Sequence, residues 1–131
     1  MAVTTQILHD GDKTAIMKFT WDTGSAETTV TKVDVSALSV RKGKNACASV
    51  AIEQVWYSIT SDTVVDVIWD ATANITAMSL LGDGHQDYRS VGPISNQTTT
   101  GKTGDILFST IGTPAATSRY TITLALRKLY T

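Results

Sequence analysis

The run RYTITLALRKLY sets Tyr120, Ile122, Leu124 and Leu126 at every second position, with Thr121, Thr123, Ala125 and Arg127 between them. A period of two sends successive side chains to opposite sides of an extended backbone, so one side is apolar and the other wet. A helix would need its apolar residues three and four apart. The same alternation runs through KTAIMKFTW, where Ala15, Met17, Phe19 and Trp21 oppose Thr14, Lys18 and Thr20. It recurs in TVVDVIWD, with Val65, Val67 and Trp69 on one face and Asp66 and Asp70 on the other. The more continuously apolar SVAIEQVWYSI predicts a central strand, or one covered on both faces. Shorter strands are expected over residues 3–8, 29–35, 75–81 and 105–110.

Composition agrees. Threonine fills 22 of the 131 positions, and its stiff, branched side chain suits a pleated surface better than a helix. HDGDK and LGDGHQD carry Asp-Gly turn chemistry, and SDT between Ile59 and Val64 is short enough for a hairpin. Helix is confined at most to a turn near Val35 and Leu38. There is no internal repeat and no linker. The expectation is one all-β domain over residues 1–131, a β-sandwich or jelly-roll-like barrel of about eight or nine short, mainly antiparallel strands. Residues 1–10 are a candidate contact arm.

The net charge of −1 gives no field that would recruit nucleic acid or an anionic membrane, and no apolar run is long enough for a membrane-spanning helix. The opening MAVTTQILHD lacks the basic and apolar regions of a signal peptide and reads as a cytosolic start. The single cysteine, Cys47, excludes an internal disulfide and a cysteine-rich metal site, and reads as a small buried residue.

Several stretches invite a chemical reading. TTTGKTGDILFST contains Gly-Lys-Thr, but a P-loop needs the pattern Gly-x-x-x-x-Gly-Lys-Thr between a strand and a helix. Asn96 stands where the first glycine belongs, and a β-type run follows, so a turn feeding a strand is expected. Asp22-Thr23-Gly24-Ser25 resembles the active-site triplet of aspartic proteases, with Glu27, Thr29 and Val30 roughly following the retroviral branch. That resemblance implies a homodimer whose two Asp22 carboxylates share a proton and activate water. Against it, Ile111-Gly112 is followed by Thr-Pro rather than a helix, no glycine-rich flap is evident, and Asp-Thr-Gly is also ordinary turn sequence.

In GDGHQDY, Asp83, His85 and Asp87 would share one side of an extended backbone and could hold Ca²⁺, Mn²⁺ or Zn²⁺. His9, Asp10 and Asp12 form a similar turn that folding could bring alongside; a solvated turn is the competing reading. Arg41, Lys42 and Lys44 around Gly43 form a compact basic turn, either a wet loop tip or a contact for an acidic partner. No Gly-x-Ser-x-Gly elbow occurs, and both histidines lie in turns. Trp56, Tyr57 and Trp69 are expected on adjacent strands, where core packing is the ordinary role and a sugar-binding platform the alternative.

The stretch ACASVAIEQVWYSITSDTVVDVIWDATANITAMSL, the loop GKTGDILFSTIG and the run YTITLALRK together resemble small β-rich proteins of tailed bacteriophages, marine ones especially. In those, Cys-x-Ser-Val (here Cys47 to Val50), a Trp-containing strand and Trp-Asp-Ala-Thr (here Trp69 to Thr72) recur in this order. The loop Gly-x-x-Gly-Asp-Ile-x-Phe (here Gly101 to Phe108) and a final Tyr-Thr strand at Tyr120 follow. The resemblance spans residues 46–128. It implies a virion structural protein assembled in the host cytoplasm, of the capsid decoration (cement) type or a tail or adaptor component. Its partners would be the major capsid protein or other virion proteins, without direct nucleic-acid or membrane contact. Self-association is implied by analogy, a trimer fitting the three-fold points of a shell. No catalytic, cofactor-binding or metal-ligating residue comes with the resemblance. The segment AVTTQIL and the loop over residues 92–104 are the candidates for subunit or capsid contact, being small, polar and uncharged.

Overall fold

The computed structural model describes residues 3–11, 13–21, 29–35, 38, 47–60, 63–96, 101, 103–112 and 118–130. Nine strands occur among them: β1 (Val3–Asp10), β2 (Thr14–Trp21), β3 (Val30–Val33), β4 (Cys47–Ile59), β5 (Thr63–Trp69), β6 (Ile75–Leu80), β7 (Asp83–Asp87), β8 (Ile106–Gly112) and β9 (Tyr120–Tyr130). They build a five-stranded sheet in the order β1-β2-β9-β4-β7 and a four-stranded sheet in the order β3-β8-β5-β6, every pairing antiparallel. The two sheets share one apolar core, so the fold is an all-β sandwich, not a closed barrel. Among the described residues there is no helix; at Val35 and Leu38 a single turn closes as Leu38 N–H donates to the Val35 carbonyl at 3.3 Å.

The alternating residues fill the core as their period requires. Ala15, Met17, Phe19 and Trp21 of β2 and Tyr120, Ile122, Leu124 and Leu126 of β9 are all buried, and they meet Val65, Val67 and Trp69 of β5 and Ile106 and Phe108 of β8. Phe108 sits at the centre, edge-on to Phe19 at 5.1 Å and to Tyr120 at 6.0 Å, while Trp21 stacks on Tyr120 at 5.3 Å. Each such side chain contributes about 1.5–3 kcal/mol by leaving water. In β5 and β8, Ile68, Leu107 and Ser109 are also buried, although alternation points them away from the five-stranded sheet. These two strands are therefore covered on both sides.

Four expectations need correction. SDT does not close a hairpin: β4 ends in the larger sheet and β5 begins in the smaller, so the link crosses the sandwich. The turn itself is tight, with Thr63 N–H donating to the Thr60 carbonyl at 3.1 Å. For the same reason Trp56 and Trp69 do not lie on adjacent strands. DGHQD is a strand rather than a turn, because Gly82, at φ 70°, takes up the reversal by itself. Gly84 then lets β7 lie against the Tyr57 ring, where a Cβ would collide with the phenol. Finally, the His9 and Asp10 turn is not near β7, since β1 and β7 are opposite edges of the same sheet.

Candidate functional site

The outer face of the five-stranded sheet is built by register. One row across it reads Thr4, Thr20, Thr121, Ser58, Asp83; the next reads Gln6, Lys18, Thr123, Trp56, His85; a third reads His9, Ile16, Ala125, Gln54, Asp87. These residues alternate with the buried series of β2 and β9, which fixes their side. Two of the sheet's three register irregularities adjoin these rows. Leu8 is the extra residue of β1 and Glu53 that of β4, where Arg127 reaches the Glu53 carboxylate at 3.4 Å.

Trp56 is 37% exposed, whereas Trp69 is 1% exposed and packed in the core. The expected burial thus holds for Trp69 and fails for Trp56, which falls on the outward phase of β4. His85 lies against it as a cross-strand partner, rings 4.9 Å apart and 4° from parallel, and His85 Nε2 is 3.0 Å from Gln54 Oε1. Asp83 accepts from the Ser58 hydroxyl at 3.0 Å. Asp87 accepts from Arg89 through both carboxylate oxygens, at 3.1 and 2.8 Å, and from the Arg89 backbone at 3.0 Å. Those hydrogen bonds hold the Asp87 carboxyl at about 2, below the ordinary carboxylate range, and the Arg89 guanidinium shifts upward in turn. Asp83, His85 and Asp87 therefore do share one side of an extended strand, but each is engaged by a different neighbour. Among the described residues no group of three His, Cys, Asp or Glu side chains converges as a metal site.

The Gly-Lys-Thr loop has a structural role. Thr103 donates through its hydroxyl to Asp70 Oδ2 at 2.8 Å and through its N–H to the Asp70 carbonyl at 3.2 Å, and Asp70 N–H donates to the Asp105 carbonyl at 3.1 Å. Gly101, at φ 70°, lies so close to Thr72 that a Cβ would clash with its hydroxyl. The loop is thus latched onto the Trp-Asp-Ala-Thr corner at the end of β5. Asp105 reaches on to the segment after β3, accepting from Val35 N–H at 3.0 Å; its burial, with the charges of Asp34 and Asp70, raises its carboxyl above the usual range. The upstream part of the loop is also tied down. Ile94 and Ile52 exchange backbone hydrogen bonds of 2.8 and 2.9 Å, leaving Val91 exposed at the tip.

One feature was missed in the sequence. Lys128 continues the inward series of β9 beyond Leu126, and its fully buried ammonium pairs with Asp10 and donates to the Gly11 carbonyl at 2.7 Å. A cation in an apolar series was the signal for such a partner. Asp22 to Ser25 with Glu27, the basic turn at Arg41, Lys42 and Lys44, Asp12 and Lys102 lie outside the described residues. Cys47 opens β4 beside Tyr130. No cleft of ligand size occurs among the described residues, and no helix there is long and apolar enough to cross a membrane. Comparison with models of known protein families gives no match, and comparison with curated proteins finds no significant one.

Proposed function

We propose that this chain is a virion structural protein of a tailed bacteriophage, a decoration protein that stabilises the head through protein–protein contacts. The observation that carries the reading is the outer face of the larger sheet. It is five strands wide, and seven of the fifteen residues in its three rows are threonine, serine or glutamine, the charged ones being Lys18, Asp83 and Asp87. Its neutral part can be covered without stranding charge, since hydroxyls exchange water for a partner's backbone groups or keep a bridging water. The residue pattern over residues 46–128 supports the same class, and its two most specific motifs, Trp-Asp-Ala-Thr and the Gly-x-x-Gly-Asp-Ile loop, are held to each other through Asp70 and Thr103. A protein of this kind acts mechanically. Each copy adds a modest contact, and many copies tying neighbouring capsomers add avidity against internal pressure.

The test is to mix purified protein with expanded heads that lack it and to image them. Binding at stoichiometric copy number on shell faces or vertices, with a higher temperature of DNA release, is the expected result. Absence of shell binding, with a tail defect in particles lacking the protein, would move it to the tail or adaptor class.

One observation favours a carbohydrate-binding module instead: the exposure of Trp56. His85 stacked on one indole face works against it, because a sugar needs that face free. Glycan-array binding that disappears in Trp56→Ala would establish the alternative.

A further inference from the structure

An exposed sheet edge offers unpaired N–H and C=O groups to any extended chain, and proteins blunt such edges with charge, proline, bulges or brevity. Three of the four edges here are blunted. β7 carries Asp83 and Asp87, β3 is four residues long with an irregularity at Lys32, and β6 is interrupted by a bulge at Ala77. β1 is different. From Val3 to Ile7 its register against β2 is unbroken, and the segment contains no charge and no proline. It has β2 on one side and, among the described residues, no strand on the other. Among the described residues the smaller sheet has four strands to the larger sheet's five, and β1 is left largely exposed. Thr4, Thr5 and Gln6 are exposed, and Ile7 and Leu8 are 51% and 50% exposed.

We propose that β1 is the seam of a homodimer, pairing antiparallel with β1 of a second copy about a two-fold axis through Thr5. The register follows from the sequence. Directly opposed residues share a face, so residues on the core side must meet residues on the core side. Centring on Thr5 places Val3 opposite Ile7 twice, Thr4 opposite Gln6 twice, and Thr5 opposite Thr5. Apolar positions then meet apolar ones and hydroxyls meet amide or hydroxyl. The pairing ends at Ile7, where the bulge at Leu8 begins. A second copy is the fitting occupant because the segment is self-complementary in this register and, being uncharged, offers nothing to steer an acidic or basic partner. The two larger sheets would join, with their threonine rows on one continuous outer face. The seam is a two-fold, in place of the trimer expected from shell symmetry. It stands or falls independently of any binding to a shell.

The experiment is sedimentation equilibrium of the full chain across a wide concentration range, with two variants. A dimer that Ile7→Lys weakens at least tenfold, circular dichroism unchanged, is the expected result. Thr5→Cys should form a disulfide-linked dimer under mild oxidation, with the cross-link mapped by peptide mass spectrometry to position 5 and not to Cys47. A monomer at every concentration, a trimer, a dimer indifferent to Ile7→Lys, or no cross-link at position 5 would overturn the proposal.

Discussion

Replacing Lys128 by methionine, Asp10 by asparagine, and then both, tests whether the buried pair between the end of β1 and the last residues of β9 is a structural tie. The Lys128 side chain is fully buried and that of Asp10 is 20% exposed, so the two single variants are unequal. Lys128→Met takes the ammonium from a carboxylate that water can still reach, and should cost about 2 kcal/mol, less than the usual 3–5 kcal/mol for breaking a buried pair. Asp10→Asn leaves an ammonium in the core that still donates to the neutral Gly11 carbonyl, and should cost about 3–5 kcal/mol. The double variant removes both charges of the pair and should lie within about 1 kcal/mol of the parent, giving a coupling energy of roughly 4–8 kcal/mol. Urea denaturation followed by tryptophan fluorescence measures all three; at about 3–5 °C per kcal/mol, thermal melts should show the same order. If both single variants stay within about 0.5 kcal/mol of the parent, the pair is solvated and the reasoning fails.

Phe108→Ala should destabilise by about 3–5 kcal/mol, because it empties the contact between Phe19 and Tyr120; chemical denaturation checks it. Asp105 has a raised carboxyl pKa in the fold, so its contribution is favourable while protonated, below the unfolded value, and is lost as pH rises through the folded value. Asp105→Asn keeps an acceptor for Val35 N–H without the charge, and should melt higher than the parent at pH 7, the gap closing near about pH 3. Asp87 should titrate at about 2 by NMR, returning to the ordinary carboxylate range in Arg89→Ala. Trp56→Phe should remove most acrylamide-quenchable fluorescence while costing less than about 1 kcal/mol, since Trp21 and Trp69 are enclosed.

Where burial imposed an alternating pattern, the fold was legible. Strands β2, β5 and β9 announce themselves because one face of each meets the core. β7 gave no such signal: all five residues are exposed, so nothing selects apolar side chains, and its Asp-Gly sequence reads as a turn. The placement of β4 and β5 in different sheets was hidden because a short connection suits a hairpin and a crossing equally well. Trp56 was misjudged because core packing is the ordinary role of a tryptophan in a chain with few aromatics, whereas the bulge at Glu53 sets the phase that turns it outward, a shift no local pattern in SVAIEQVWYSI encodes. The grid of rows on the outer face depends on pairings between distant segments, such as Thr20 with Thr121 and Thr121 with Ser58, which no local pattern encodes.

The position of β9 has a consequence for how the sandwich is assembled. It is the last strand in chain order yet lies between β2 and β4, with Thr14 opposite Arg127 and Ile59 opposite Tyr120. Until it arrives, β1 with β2 and β4 with β7 are two separate ribbons with no backbone ladder joining them. Closure must then span nearly the whole chain at once, a loop-entropy cost that slows folding and keeps the halves exposed meanwhile. A ribosome-bound intermediate lacking only this strand should therefore be protease-sensitive throughout the larger sheet, acquiring protection in one late step as β9 slots between its neighbours.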